Sequence, residues 1–132
     1  MIDHFNAYVL VVHDLEKCVS FYRDILGLQL KSKEDDFAYL VFRNQAVPGV
    51  AVLSIDSAAK NISEAQIQRR DKGTYRTYFA VFLEDVDEEY ESLKSKGVHF
   101  IKPPTTYPWG QRIAYFEDPE GNLWEISHFP KK

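Results

Sequence analysis

The chain has a single cysteine, Cys18, so no intramolecular disulfide can form, and a reducing compartment such as the cytoplasm is expected. Basic residues do not dominate either. There are 16 Lys and Arg against 20 Asp and Glu, a net charge of −4. With no basic stripe to neutralise phosphates, a nucleic-acid partner is not expected. No apolar run approaches membrane-spanning length, and the start, Met1-Ile2-Asp3-His4, lacks the basic-then-apolar order of a signal peptide. Low-complexity segments are absent, and there are only four histidines.

Aromatic residues are plentiful: nine Phe, eight Tyr and two Trp, 14% of 132 residues. They must pack or line something. A chain of this length fits one domain and buries roughly two-thirds of its unfolded surface.

One pattern occurs twice. Asp14-Leu15 leads through Phe21-Tyr22 to Leu26-Gly27-Leu28, and Asp85-Val86 leads through Tyr90 and Leu93 to Gly97-Val98. In the first copy, Leu15, Val19, Tyr22 and Leu26 lay an apolar stripe along a helix; Val86, Tyr90 and Leu93 repeat it. The copies lie 70 residues apart (Gly27 to Gly97), about half the chain, so each half reads as one supersecondary unit.

The element order supports this reading. Residues 5–12 read as a strand buried on both faces, Asp14 as an N-cap, 15–26 as a helix and Gly27 as its C′ residue. Strands follow at 28–32, 37–43 and 50–55, the last two separated by Ala46-Val47-Pro48-Gly49. From Tyr75 the order repeats: strand 76–84, helix 86–96, and strands 98–102, 112–117 and 123–128, with Asp118-Pro119-Glu120-Gly121-Asn122 as the last turn. The polar stretch between the copies has room for a short helix around 62–69. Residues 102–111, with three prolines, read as irregular. The fold expected is α+β, one domain over 1–132 made of two βαβββ modules (1–56 and 75–132) joined by a connection at 57–74.

Three groups of residues carry a resemblance to the vicinal oxygen chelate superfamily of glyoxalases, bleomycin-resistance proteins, fosfomycin-resistance enzymes and extradiol dioxygenases. They are Val12-His13-Asp14-Leu15 with Phe21-Tyr22 and Leu26-Gly27-Leu28; Leu83-Glu84-Asp85-Val86 with Gly97-Val98; and Phe116 through Glu125. The resemblance implies paired modules whose sheets curl around a shared cup. In metal-dependent members, His and Glu side chains from both modules hold a divalent ion there, and the ion chelates two neighbouring substrate oxygens.

The resemblance places the first ligand seven residues before each helix-opening Asp. Those positions are Ala7 and Tyr78, and the first module's last-strand position falls near Val52 or Leu53. Only Glu125 keeps a ligand-type side chain. One carboxylate cannot hold Zn, Ni, Mn or Fe, so no metal cofactor is expected; a divalent metal belongs to the alternative, enzymatic reading. His4, His13, His99 and His128 read as surface or packed residues, because strand alternation turns them away from the cup or leaves them at its margin. A shifted register of the 50–56 strand would bring Ser54 or Asp56 to the cup face, without supplying a histidine.

Ala7, Val9, Val11, Tyr78, Ala80 and Phe82 are expected to face the cup, with Tyr107 and Trp109 of the proline-rich loop as walls or lid. Three readings of Glu125 stand open: a buried salt bridge, with Arg112 or Arg43 as partner; a general base; or an anchor for a cationic group. Cys18 reads as a small core residue. The function expected is binding of a small molecule, an antibiotic or planar metabolite. The alternative is a metal-dependent glyoxalase-like isomerase or a dioxygenase using Glu125. The resemblance further implies a homodimer.

Overall fold

Six residues of alternating burial, Ala7–Val12, form strand β1, and the chain then enters a helix where Asp14 accepts the Lys17 N–H at 3.0 Å. The computed structural model describes residues 1–67 and 74–131. It divides into two compact units, Met1–Arg70 and Asp71–Lys132.

In the first unit β1 is followed by α1 (Leu15–Ser20). Its helix does not run evenly to residue 26 as expected. It widens into a π-turn over Phe21–Ile25, with the Leu26 N–H reaching the Phe21 carbonyl at 3.1 Å, five residues back. Gly27, at φ +83°, then ends it. Strands β2 (Gln29–Lys33), β3 (Phe37–Phe42) and β4 (Gln45–Ser54) complete a sheet of order β1-β4-β3-β2, with β1 and β4 parallel. Residues 46–49 are not a separator: β4 runs through them, and the reversal is made by Arg43 and Asn44 between the paired Phe42 and Gln45. Pro48, which has no N–H, comes just before the stretch of β4 that pairs with β1, and Gly49 donates to the Asn6 carbonyl at 2.9 Å. Ser54 caps a short helix, α2 (Ile55–Asn61), through the Ser57 N–H. The helix expected around 62–69 is turn over 62–67, and the rest of that stretch lies outside the described residues.

The second unit repeats the plan: β5 (Tyr78–Phe82), α3 (Val86–Ser95), β6 (His99–Thr106), β7 (Arg112–Glu117) and β8 (Leu123–His128), in the order β5-β8-β7-β6. Strand β6 corrects the expectation of irregular chain from residue 102. It extends through Pro103 and Pro104, where pairing jumps from Lys102↔Tyr115 to Thr105↔Ile113. As the edge strand it has no outer partner, so prolines at that irregularity cost no ladder bond.

Each sheet packs one face on its helix. Leu10, Val12, Val50, Val52 and Leu40 are buried with Leu15, Cys18, Val19 and Tyr22 of the first unit; Cys18 is a core residue. In the second unit, the packed face is an aromatic ladder. Tyr90 of α3 meets Phe100 (4.6 Å), Phe100 meets Phe116 (5.5 Å), Phe116 meets Trp124 (6.0 Å) and Trp124 stacks on Phe79 (4.3 Å). Such ring pairs add roughly 0.5–1.5 kcal/mol each beyond burial of their area. No helix among the described residues is long and apolar enough to cross a membrane.

Candidate functional site

The turn between β7 and β8 fixes what stands opposite what. Asp118 accepts the backbone N–H groups of Glu120 (2.9 Å) and Asn122 (2.8 Å) and the Asn122 side-chain amide (2.8 Å), and Gly121 supplies φ +81°. The register that follows is Glu117↔Leu123, Tyr115↔Glu125 and Ile113↔Ser127, with Ala80 of β5 on the other flank of Glu125. Paired residues share a face. The face away from α3 therefore carries Tyr115, Glu117 and Glu125 together with Tyr78, Ala80 and Phe82.

On this face the Tyr115 hydroxyl donates to Glu125 at 2.8 Å. The Tyr78 ring stands edge-on to Tyr115, with centroids 6.0 Å apart and planes at 82°. Burial is the main cause that pushes the Tyr115 phenol well above its ordinary value of 10; the hydrogen bond and negative charge of Glu125 push it the same way. Tyr115 is thus a neutral donor throughout the physiological range. Tyr78 and Phe82 are 54% and 76% exposed, so this face is open beside the pair.

Arg112 is not the partner expected for Glu125. An even-numbered residue of β7, it points to the α3 side, donating to Asp87 at 2.7 and 2.8 Å and to Thr106 at 3.0 Å. Among the described residues no cationic nitrogen lies within 4.0 Å of Glu125. The residue that does satisfy it, Tyr115, was missed in the sequence. It was readable there: a hairpin folded symmetrically about Glu120 puts 115 opposite 125.

Tyr107 and Trp109 sit on a loop closed by Tyr107 N–H to Gln111 carbonyl (2.9 Å) and Gly110 N–H to Tyr107 carbonyl (2.8 Å), with Gly110 at φ +93°. Their rings stack at 4.8 Å and 19°, and the Lys102 ammonium covers Tyr107 at 4.8 Å. The Trp109 indole N–H donates to Gln111 at 2.9 Å, and the Gln111 amide donates to buried Ser127 at 2.9 Å. Trp109 remains 61% exposed. Elsewhere on the face, the Tyr75 hydroxyl donates to Glu117, and His99 Nε2 lies 3.9 Å from the same carboxylate.

In the first sheet Ala7, Val9 and Val11 pair with Gly49, Ala51 and Leu53, and Tyr39 pairs with Ala51. Val9 and Val11 are 48% and 37% exposed. The matching registers make Ala51 the counterpart of Glu125 and Tyr39 the counterpart of Tyr115. This corrects Val52 or Leu53 as the counterpart: Val52 faces the helix side with Leu10, and Leu53 pairs one step further along, with Val11. Ser54 and Asp56 do not reach the sheet's open face either, since Ser54 caps α2 and Asp56 lies within it.

The four positions where the resemblance puts metal ligands hold Ala7, Tyr78, Ala51 and Glu125, a donor set of one carboxylate and one phenol. Among the described residues, no three His, Cys, Asp or Glu side chains gather into a group fit for a metal ion. The histidines serve elsewhere. His4 bonds Asp3 at 2.9 Å, His13 is exposed, His99 flanks Glu117, and His128 Nδ1 accepts the Val86 N–H that opens α3 at 2.9 Å. These residues do not fit the divalent-metal site of the resemblance.

Comparison with known proteins agrees with this architecture. Residues 2–126 match the sequence model described as the Glyoxalase/Bleomycin resistance protein/Dioxygenase superfamily. YraH of Bacillus subtilis (strain 168) is 34% identical over 118 residues, covering 89% of this chain and 91% of that one. The metallothiol transferase FosB of Staphylococcus saprophyticus is 26% identical over 128 residues, covering 96% of this chain and 77% of FosB. The crystal structure of a glyoxalase/bleomycin resistance protein/dioxygenase from Nocardioides superposes with a TM-score of 0.79 at 28% identity, covering all of this chain and 90% of that chain.

Proposed function

This chain belongs to the glyoxalase/bleomycin resistance protein/dioxygenase superfamily, and within it we propose that it is a small-molecule binding protein that works without the metal of its enzymatic relatives. The ligand is an antibiotic or planar metabolite, held on the face that carries Tyr78, Tyr115 and Glu125. The observation that carries this reading is the Tyr115–Glu125 hydrogen bond of 2.8 Å on a half-open aromatic face of the second unit, while the other family ligand positions, Ala7 and Ala51 in the first unit and Tyr78 in the second, hold neither histidine nor carboxylate. Pockets of this kind are mostly apolar with a few placed polar groups. Exposed Val9, Val11 and Phe82 are apolar surface that a partner or ligand would cover, and a cytoplasmic homodimer is part of the proposal.

The enzymatic alternative, a glyoxalase-like isomerase or a dioxygenase, has Glu125 in its favour, since this is the one family ligand position to keep a carboxylate. Assays with a hemithioacetal and with a catechol, each with added Zn²⁺, Ni²⁺, Mn²⁺ or Fe²⁺, separate the two readings. The proposal expects no turnover above the metal-only control. Turnover that needs metal and disappears in Glu125→Gln would replace it with the alternative. Light scattering on eluted protein checks the dimer, and a monomer at micromolar concentration would contradict it.

A further inference from the structure

We infer that the ligand of the Glu125 face is a flat organic cation, of the amidinium, guanidinium or aminated heteroaromatic class. This inference rests on the binding function proposed above and names its chemistry. Three independent features of the second unit converge on it.

The first is charge without compensation. Glu125 accepts one hydrogen bond, from a neutral phenol, and among the described residues no Lys, Arg or His nitrogen comes within 4.0 Å of it. A carboxylate has about four lone-pair sites, so most of its accepting capacity is left for a ligand. Two cations on the neighbouring strands are engaged elsewhere: Arg112 with Asp87 on the opposite face, and Lys102 over the Tyr107 ring at 4.8 Å. Glu117 adds a second carboxylate to the same face, diagonal to Glu125 across the β7–β8 pair, with a side chain only 15% exposed and His99 3.9 Å away.

The second is ring surface beside that charge. Tyr78 is 54% exposed and stands edge-on to Tyr115, whose hydroxyl donates to Glu125, so exposed ring surface lies next to the carboxylate's own partner. The faces of aromatic rings carry negative quadrupole charge and attract cations.

The third is a Trp held in place while exposed. One face of Trp109 is packed on Tyr107, and its N–H is tied through Gln111 to Ser127, whose exposure is 1%. Trp109 nonetheless stays 61% exposed. Ser127 lies two residues from Glu125 on the same face of β8, about 6.7 Å along the strand. Holding an exposed indole rigid removes the ordering cost of stacking on it. A ligand with a flat ring and N–H donors at one end meets Tyr78 with the ring and Glu125 with the donors, in the paired geometry in which amidinium groups meet carboxylates, and Trp109 adds ring surface for a longer ligand.

The test titrates the full chain, in EDTA, with benzamidine, benzamide and benzoate, which share a shape and differ in charge. Backbone amide NMR shifts of Tyr78, Tyr115 and Glu125 report on the site, and fluorescence of Trp109, which is 61% exposed, is a second readout. Benzamidine is expected to saturate at a concentration at least roughly tenfold below benzamide, with benzoate weaker still. Glu125→Gln, checked for folding by circular dichroism, should erase the preference for benzamidine, and Tyr78→Leu should weaken benzamidine and benzamide together. Equal binding of benzamide and benzamidine, or a preference that survives Glu125→Gln, overturns the cation class and leaves the binding function standing. No saturable response to any of the three overturns both.

Discussion

Tyr39 and Tyr115 occupy the same place in the two repeats, and they do different things. In the first sheet the Tyr39 hydroxyl is shared between the Asn6 and Ala46 carbonyls, at 3.3 and 3.4 Å. Its ring lies over Gly49, where a Cβ would come within 2.6 Å of both the Leu40 carbonyl and the Tyr39 hydroxyl. In the second sheet Leu123 stands where Gly49 stands in the first, and Tyr115 turns its hydroxyl to Glu125 instead. Ala51, the counterpart of Glu125, is 3% exposed and offers nothing to bond. One repeat has committed its tyrosine to supporting its own backbone; the other holds a carboxylate ready. A duplicated fold can thus keep one half as scaffold while the other keeps the polar chemistry.

Five substitutions press on this contrast. The largest effect is expected from Ala51→Glu, which copies the second repeat into the first. Tyr39 is already engaged, so the new carboxylate is buried without a partner, and stability should fall by about 4 kcal/mol in denaturant unfolding. Gly49→Ala comes next, at about 3 kcal/mol, because its methyl meets the Leu40 backbone rather than a movable side-chain end. If either variant proves as stable as the parent, the first sheet is not the rigid scaffold described here.

Tyr115→Phe removes one charge-assisted hydrogen bond and should cost about 1.5 kcal/mol, more than Tyr39→Phe with its longer contacts. Its pH signature is specific. Tyr115 has a folded-state value raised above the unfolded 10, so the native state holds its proton where the unfolded chain has lost it. The stability this gives is full below pH 10 and drains away as pH rises past that value toward the folded-state one. Unfolding midpoints measured from pH 8 to 11 should therefore fall less steeply in Tyr115→Phe than in the parent. The smallest effect belongs to Arg112→Ala. Its ion pair with Asp87 is partly exposed and screened by solvent, so the loss should stay below about 1 kcal/mol. Being on the α3 side, it should leave benzamidine binding unchanged.

Much of the fold was legible because its signals are local. Asp14 and Asp85 as caps, Gly27 and Gly97 as stops, and the strands 112–117 and 123–128 follow from pattern alone, and two copies of one pattern give the topology. What the sequence hid depended on tertiary pairing. Pro103 and Pro104 look like breakers until β6 is known to be an edge, and residues 46–49 look like a turn until β4 is seen to start at Gln45 opposite Phe42 and to meet β1 from Gly49 onward. At the site, Glu125 and Tyr78 could be placed by alternation. Arg112 was put beside Glu125 because it lies on the neighbouring strand, yet its parity turns it to the opposite face, where Asp87 of α3 waits. Tyr115 carries no charge to mark it as a carboxylate's partner, and only the hairpin register sets its phenol directly opposite Glu125.

Elemental analysis of the protein purified without chelators and then dialysed against Zn²⁺, Ni²⁺, Mn²⁺ and Fe²⁺ tests the account most directly. Glu125 with Ala7, Ala51 and Tyr78 predicts that none of these metals stays bound at a meaningful fraction of one ion per chain. Retention of about one ion per chain in the parent, lost in Glu125→Gln, would contradict it.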